Sequence, residues 1–279
     1  TLPDLTGITD YADVAAAVMA PFVDDELGPD VLRGLCREAY ATFDHPAVVP
    51  LVQIDDREWL LELFHGPTLA FKDIALQLLG NLFERELAKR SQAVTIIGAT
   101  SGDTGSAAIE ACRDRAALDI VILHPHGRVS EVQRRQMTTV TSPNVHNVAI
   151  HGTFDDCQRL VKDLLVEPNL RRDLGITSVN SINWARVLAQ VVYYFSSAVS
   201  LGAPRRKVSF TVPTGNFGDI FAGYIAKRMG LPIDRLVVAT NQNDILHRCL
   251  STSDYRPDGV IPSISPSMDI QVSSNFERA

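Results

Sequence analysis

Residues 93–124, "AVTIIGATSGDTGSAAIEACRDRAALDIVILH", decide the fold. A near-continuous apolar run enters a glycine-rich turn, a helical segment follows, and a second apolar run, "LDIVILH", closes the unit. Strands that are apolar on both faces and alternate with helices belong to a parallel sheet covered on both sides. The rhythm continues as "SEVQRRQMTTV" helix, "NVHNVAI" strand and "FDDCQRLVKDLL" helix, then resumes as "KVSFTVP" strand, "FGDIFAGYIAKRMG" helix and "RLVVAT" strand. Between these blocks, "SINWARVLAQVVYYFSSAVSL" is too interrupted by polar residues to span a membrane and reads as a core helix. The fold class is therefore α/β.

Upstream, residues 8–43 read as two helices broken at "LGPD", with Asp30 placed to cap the second, and "VVPLVQI" and "EWLLELF" read as short strands. The tail from about residue 251 is rich in Ser and Pro and reads as loop. The organisation expected is a segment 1–92 carrying the first helices and part of a larger domain, a smaller α/β domain over 93–200, and the remainder of the larger domain over 201–279.

Composition narrows the partners. The 279 residues carry a formal charge of −7 and no basic run, which argues against nucleic acid and for small molecules. Cys36, Cys112, Cys157 and Cys249 are too scattered for a disulfide framework or a CxxC motif. His124 and His126 lack a third ligand at any usual spacing, so no metal site is expected. No signal peptide precedes the first helix, and a cytoplasmic protein is expected. The chain opens without methionine and stops at Ala279, which reads as a piece of a longer protein.

Within residues 64–73, "FHGPTLAFKD", a lysine sits where the following helix should bury its apolar face. Steps of three and four from Lys72 meet Ala75, Leu76, Leu79 and Phe83, with Asp73, Gln77, Asn81 and Glu84 opposite, and Thr68 is placed to cap the helix. Such a lysine either snorkels its ammonium to water or stays desolvated and able to attack a carbonyl.

Two strand–turn–helix loops resemble each other, "ATSGDTGS" at 99–106 and "TGNFGD" at 214–219. Each leaves backbone N–H groups and a helix amino terminus facing a ligand, which suits a phosphate or carboxylate. Ser101, Thr104 and Ser106 add hydroxyl donors in the first, and Asn216 an amide in the second, where Gly215 and Gly218 allow close approach. Neither matches GxGxxG or the P-loop. Two anion cradles and a lysine call for a ligand with anionic groups and a carbonyl. Pyridoxal phosphate with an amino-acid substrate supplies both.

These stretches, together with "HPHGRVSEVQRRQMTT" at 124–139, "NSINWARVLAQVVYYF" at 180–195 and "SISPSMDIQVSSNFER" at 263–278, resemble the threonine synthase family. That resemblance implies a two-domain fold-type-II (tryptophan synthase β-like) enzyme with mostly parallel open sheets covered by helices. It further implies pyridoxal 5'-phosphate as cofactor and conversion of O-phospho-L-homoserine and water to L-threonine and phosphate. Carried over, Lys72 becomes the Schiff-base lysine and proton carrier. Phe71, Gly215, Asn216, Phe217, Gly218 and Asp219 attend the cofactor. Ser101, Gly102, Asp103 and Thr104 meet the substrate. Arg186 and Asn183, beside Asn180 and Ser181, take the substrate phosphate, with Thr153 and Asp155 of "HGTFDDC" nearby. The nearest rivals are a serine or threonine dehydratase or a β-replacing synthase on the same lysine and loops, and a catalytically silent anion-binding homologue. A monomer or small homo-oligomer is expected.

Overall fold

The structure, a computed structural model, describes residues 2–278. Along the chain run α1 (Tyr11–Leu27), α2 (Pro29–Tyr40), β1 (Leu51–Asp55), β2 (Glu58–Leu61) and α3 (Lys72–Arg90). They are followed by β3 (Val94–Ala99), α4 (Asp103–Cys112), β4 (Leu118–Pro125), α5 (Glu131–Thr138), β5 (Val145–Ile150), α6 (Phe154–Val166) and α7 (Pro168–Leu174). The last group is α8 (Trp184–Ser200), β6 (Val208–Pro213), α9 (Gly218–Arg228), β7 (Ile233–Ala239) and α10 (Ile245–Thr252). All strands expected from the apolar runs are present. Helices α7 and α10 are additions that the sequence pattern did not mark.

The chain divides into two compact units, Gly66–Asn180 and the pair of segments Thr1–His65 and Ser181–Ala279. Boundaries expected near 92 and 200 thus differ from those observed near 65 and 180. Packing is the reason: α3 lies against α4, and α8 lies against α1 and α9.

In the unit Gly66–Asn180, β3, β4 and β5 form a parallel sheet in chain order, with Ile96 opposite Ile120 and Ile122 opposite Asn147. Thr177 adds a parallel bridge to Ile96 at the free edge of β3. Ile97 and Leu123 pack with Cys157 and Val161 of α6. Because side chains alternate along a strand, the fully buried Ile96 and Ile120 serve the other face. Helix α3 approaches α4 so closely that a Cβ on Gly80 would stand 2.4 Å from the Ala111 carbonyl oxygen. Glycine is therefore required there.

Of the polar stripe expected on α3, only Glu84 is exposed; the other three residues are buried. Asp73 is 0 %, Gln77 5 % and Asn81 5 % exposed. Buried polar groups need partners, and two of these find them: Asp73 accepts from Thr68, and Asn81 accepts from Arg115 Nη2 at 2.5 Å. Thr68 does not cap α3, which begins four residues later at Lys72 with Phe71 as its N-cap. Nor does Asp30 cap α2. Gly28, at φ 71°, is the N-cap, and Pro29 opens the helix with the fixed φ that suits its first position.

In the other unit β1 and β2 form an antiparallel hairpin, and β6 and β7 a parallel pair. Its core is α8, where Tyr193, Tyr194 and Phe195 are each no more than 2 % exposed. The edge of the Tyr194 ring leaves room at Gly223 of α9 only for hydrogen, since a Cβ there would lie 2.7 Å from it. The four cysteines are free, and burial pushes the Cys36 and Cys112 thiols up to about 12.

Candidate active site

The lysine is presented by an arch over residues 66–71. Asp73 accepts the backbone N–H of Thr68 at 2.8 Å and its hydroxyl at 2.7 Å, and a Cβ on Gly66 would stand 2.5 Å from the Asp73 Cβ. Burial raises the Asp73 pKa above its ordinary value, and the Thr68 hydrogen bonds act against that rise. The arch delivers Lys72 as the first residue of α3. Its side chain is 12 % exposed and its Nζ lies 2.9 Å from Asp103 Oδ2. It neither snorkels to water nor sits in an apolar pocket. An ion pair holds it, with Nζ 4.6 Å from the centre of the Phe71 ring.

Asp103 opens α4 and is held on its other oxygen by the Gln133 side-chain amide. Gln133 in turn accepts from the hydroxyl of Ser130, the N-cap of α5, at 2.9 Å. One turn on, Gln136 donates to the Thr68 carbonyl at 3.0 Å. These glutamines were missed in the sequence, although their spacing of three on a short helix puts both on one face. A cavity of about 380 Å³ opens here, lined by Thr68, Phe71, Asp103, Ser130 and Gln133 among others.

The 99–106 turn is fixed from within. Thr100, 1 % exposed, accepts the N–H groups of Gly102 at 3.0 Å and Gly105 at 2.8 Å. Gly102 takes φ 148°, and a Cβ there would stand 2.0 Å from Gln133 Oε1. Ser101 and Thr104 are half-buried, but Ser106 is buried and donates to the Gly102 carbonyl, so it is not the ligand donor expected. Thr153 caps α6 in a capping box with Asp156, whose carboxylate accepts its hydroxyl at 2.9 Å. Asp155 is exposed in the first turn of α6.

In the other unit, β6 runs into the 214–219 turn. Phe217 is the N-cap of α9 in the left-handed region at φ 64°, and no side chain caps the helix. The N–H groups of the first turn are those that lack intrahelical partners, and the positive end of the helix dipole there favours an anion. One oxygen of the Asp219 side chain turns to α8. Its Oδ1 accepts the hydroxyls of Tyr193 at 2.5 Å and Tyr194 at 2.9 Å, both on α8. Burial, in the first place, and then this carboxylate raise both phenol pKa values well above the usual range.

Asn183 caps α8 by accepting from the Ala185 N–H at 3.0 Å. Arg186, one turn in, is 3 % exposed, and loss of hydration lowers its pKa to about 10, which leaves it cationic at neutral pH. Asn180 is exposed, whereas Ser181 hydrogen-bonds the Ser274 hydroxyl at 2.8 Å. Ser274 also donates to Asn216 Oδ1 at 3.2 Å, so the 180–186 segment and the 214–219 turn are tied together by the chain's last residues.

Each unit taken by itself offers a donor that suits pyridoxal phosphate: Gly66–Asn180 a lysine for an aldehyde, and the other unit an uncapped, glycine-flanked helix start for a phosphate. The class is met independently, because residues 44–279 match the model of the pyridoxal-phosphate dependent enzymes, and the chain belongs to that family. Within it, the chain is similar to the threonine synthase of Pseudomonas aeruginosa, 59% identical over 268 residues that make up 96% of this chain and 57% of that one. It is similar also to the threonine synthase of Saccharomyces cerevisiae, 49% identical over 96% of this chain and 55% of that one.

The structure of pyridoxal-phosphate-bound threonine synthase from Brucella melitensis superposes with a TM-score of 0.93 at 59% identity, over 98% of this chain and 59% of that one. The threonine synthase of Escherichia coli gives 0.86 at 37% identity, over 97% and 61%. Maize serine racemase, 14% identical, shares the fold with a TM-score of 0.63 over 85% of this chain and 70% of that one. The chain spans a little over half the length of the curated relatives it matches.

Proposed function

We propose that this chain belongs to a threonine synthase, which converts O-phospho-L-homoserine and water to L-threonine and phosphate with pyridoxal phosphate as cofactor. The observation that carries the reading is Lys72 at the start of α3, directly after the arch that Asp73 fixes, and ion-paired at 2.9 Å to Asp103 of the glycine turn. The high identity to threonine synthases, with 59% for the Pseudomonas aeruginosa enzyme, supports the choice of substrate.

Each residue then has a task. Lys72 takes the cofactor aldehyde, with Phe71 beside it, and the backbone of Gly215, Asn216, Phe217 and Gly218 takes the phosphate. Asp219 acts on that turn through Tyr193 and Tyr194. Pyridoxal phosphate supplies an electron sink for charge developing at the substrate α-carbon. Lys72 would be the base that moves protons at the substrate α- and β-carbons, and Asp103 would orient its amine. Ser101, Gly102 and Thr104 receive the substrate carboxylate. Arg186 pairs its forked donors with the substrate phosphate. The helix cap uses the Asn183 amide oxygen, and its NH2 group is the donor offered to that phosphate. Thr153, committed to its capping box, contributes by fixing the start of α6.

The enzyme is read as cytoplasmic, a monomer or small homo-oligomer, acting on a small molecule rather than nucleic acid. Among the described residues no helix is long and apolar enough to cross a membrane. The test is to incubate the protein with pyridoxal phosphate, reduce with borohydride, digest, and map the adduct by mass spectrometry. A phosphopyridoxyl label confined to the Lys72 peptide is expected; a label elsewhere, or none on folded protein, overturns the assignment. Phosphate released from O-phosphohomoserine is the expected product, whereas ammonia and a 2-oxo acid formed from threonine would make it a dehydratase.

A further inference from the structure

Residues 273–276, "SSNF", lie in the stretch read as loop, yet Asn275 is 0 % and Ser273 4 % exposed. Several of their hydrogen bonds converge on the 214–219 turn. The Ser273 hydroxyl donates to the Gly215 carbonyl at 2.7 Å, and the Asn275 N–H and side-chain amide both donate to the Asn216 carbonyl at 3.1 Å. The same amide reaches the Ser181 carbonyl at 3.3 Å. With carbonyl oxygens on that side, only the NH2 end of Asn275 fits there. Phe276 sets its ring edge-on to Phe217 at 5.1 Å. Phe217 is the residue held left-handed, an arrangement that persists only where the surroundings impose it.

From this geometry we propose that residues 273–276 are a brace that sets the cofactor-phosphate turn. By holding the carbonyls of Gly215 and Asn216 away from the ligand and pinning the Phe217 ring, the brace aims the N–H groups of the first turn of α9 at the phosphate. Asn275 is a positioning residue and touches no reacting atom. The inference rests on the assignment of the 214–219 turn to the cofactor phosphate.

The test compares pyridoxal phosphate with pyridoxal, which lacks the phosphate. Dissociation constants for both are measured by absorbance titration on the intact enzyme, in wild type, Asn275→Ala and Ser273→Ala. Loss of the Asn275 contacts should weaken pyridoxal phosphate about tenfold and leave pyridoxal within about twofold, the smaller variant acting in the same direction by about threefold. Ser273→Ala decides the matter if Asn275→Ala does not fold. Equal weakening of both ligands, or no weakening of either, overturns the brace while the assignment of the turn stands. A wild type that binds pyridoxal as tightly as pyridoxal phosphate removes the assignment itself, and the brace with it.

Discussion

The two glycine turns begin alike and are stabilised by opposite means. Each leaves a parallel strand and starts a helix whose N-cap gives no side-chain hydrogen bond. The 99–106 turn closes on itself through Thr100, within the six residues 100–105, and spends its charged residue on Lys72. The 214–219 turn is fixed by tyrosines of α8 and by residues 273–276. The locally closed turn carries a carboxylate that holds the Lys72 amine. A turn fixed from outside keeps its first N–H groups for an anion. On the proposed assignment, the same motif serves a reacting end and a holding end.

The largest effect should come from separating those ends. Lys72→Ala removes the proton carrier, and phosphate release from O-phosphohomoserine should fall by roughly 10²–10⁴-fold or more, while the protein keeps its circular dichroism and its affinity for inorganic phosphate. Turnover within tenfold of wild type would sink the division of labour. Next is Thr100→Val, which keeps the volume but leaves the N–H groups of Gly102 and Gly105 without their acceptor in a buried turn. A cost of about 2–6 kcal/mol in urea unfolding is expected, given about 1–3 for each of the two unsatisfied donors; a cost near zero would mean that the turn does not depend on Thr100.

On the holding end, Asp219→Asn keeps an acceptor for Tyr193 and Tyr194 but removes its charge. Hydrogen bonds to charged groups are worth about 1.5–3 kcal/mol against about 1 for neutral ones. Destabilisation of about 1–2 kcal/mol follows from that difference, with weaker pyridoxal-phosphate binding. Unchanged affinity would show that α8 does not support the turn.

What could be read from the sequence was local. Apolar runs and glycine turns announce their strands and helix starts because both signals lie within a few residues, and Lys72 stood out because it broke a helical pattern. The polar residues of α3 misled for the converse reason. Asp73 and Asn81 look like a solvated face, yet their partners come from the arch at Thr68 and from Arg115, 34 positions beyond Asn81. Spacing shows which residues share a face and is silent on what covers that face. The Ser106 hydroxyl, expected at the ligand, bonds back to its own turn, a competition between local acceptor and ligand that composition does not decide. The brace at 273–276 was invisible because its segment has no periodicity and its partners lie 58 and 59 positions upstream.

The finest probe of the contrast is Phe217, whose φ of 64° is the least comfortable backbone value in the turn. Phe217→Gly removes the left-handed penalty, roughly 1 kcal/mol or more, but adds about 0.5–1 kcal/mol of unfolded-chain entropy. It also forfeits the ring pair with Phe276, about 0.5–1.5 kcal/mol. Net destabilisation of about 1 kcal/mol is the sum of these opposing effects. Phe217→Ala loses the same ring contact and keeps the Cβ that makes the left-handed state costly, so it should be the less stable of the two variants. That order inverts the usual preference for alanine over glycine. Thermal unfolding of the pair decides it: glycine above alanine places the strain in the holding turn, and alanine above glycine would mean that Phe217 leaves the left-handed region and that the two turns differ less than their hydrogen bonds imply.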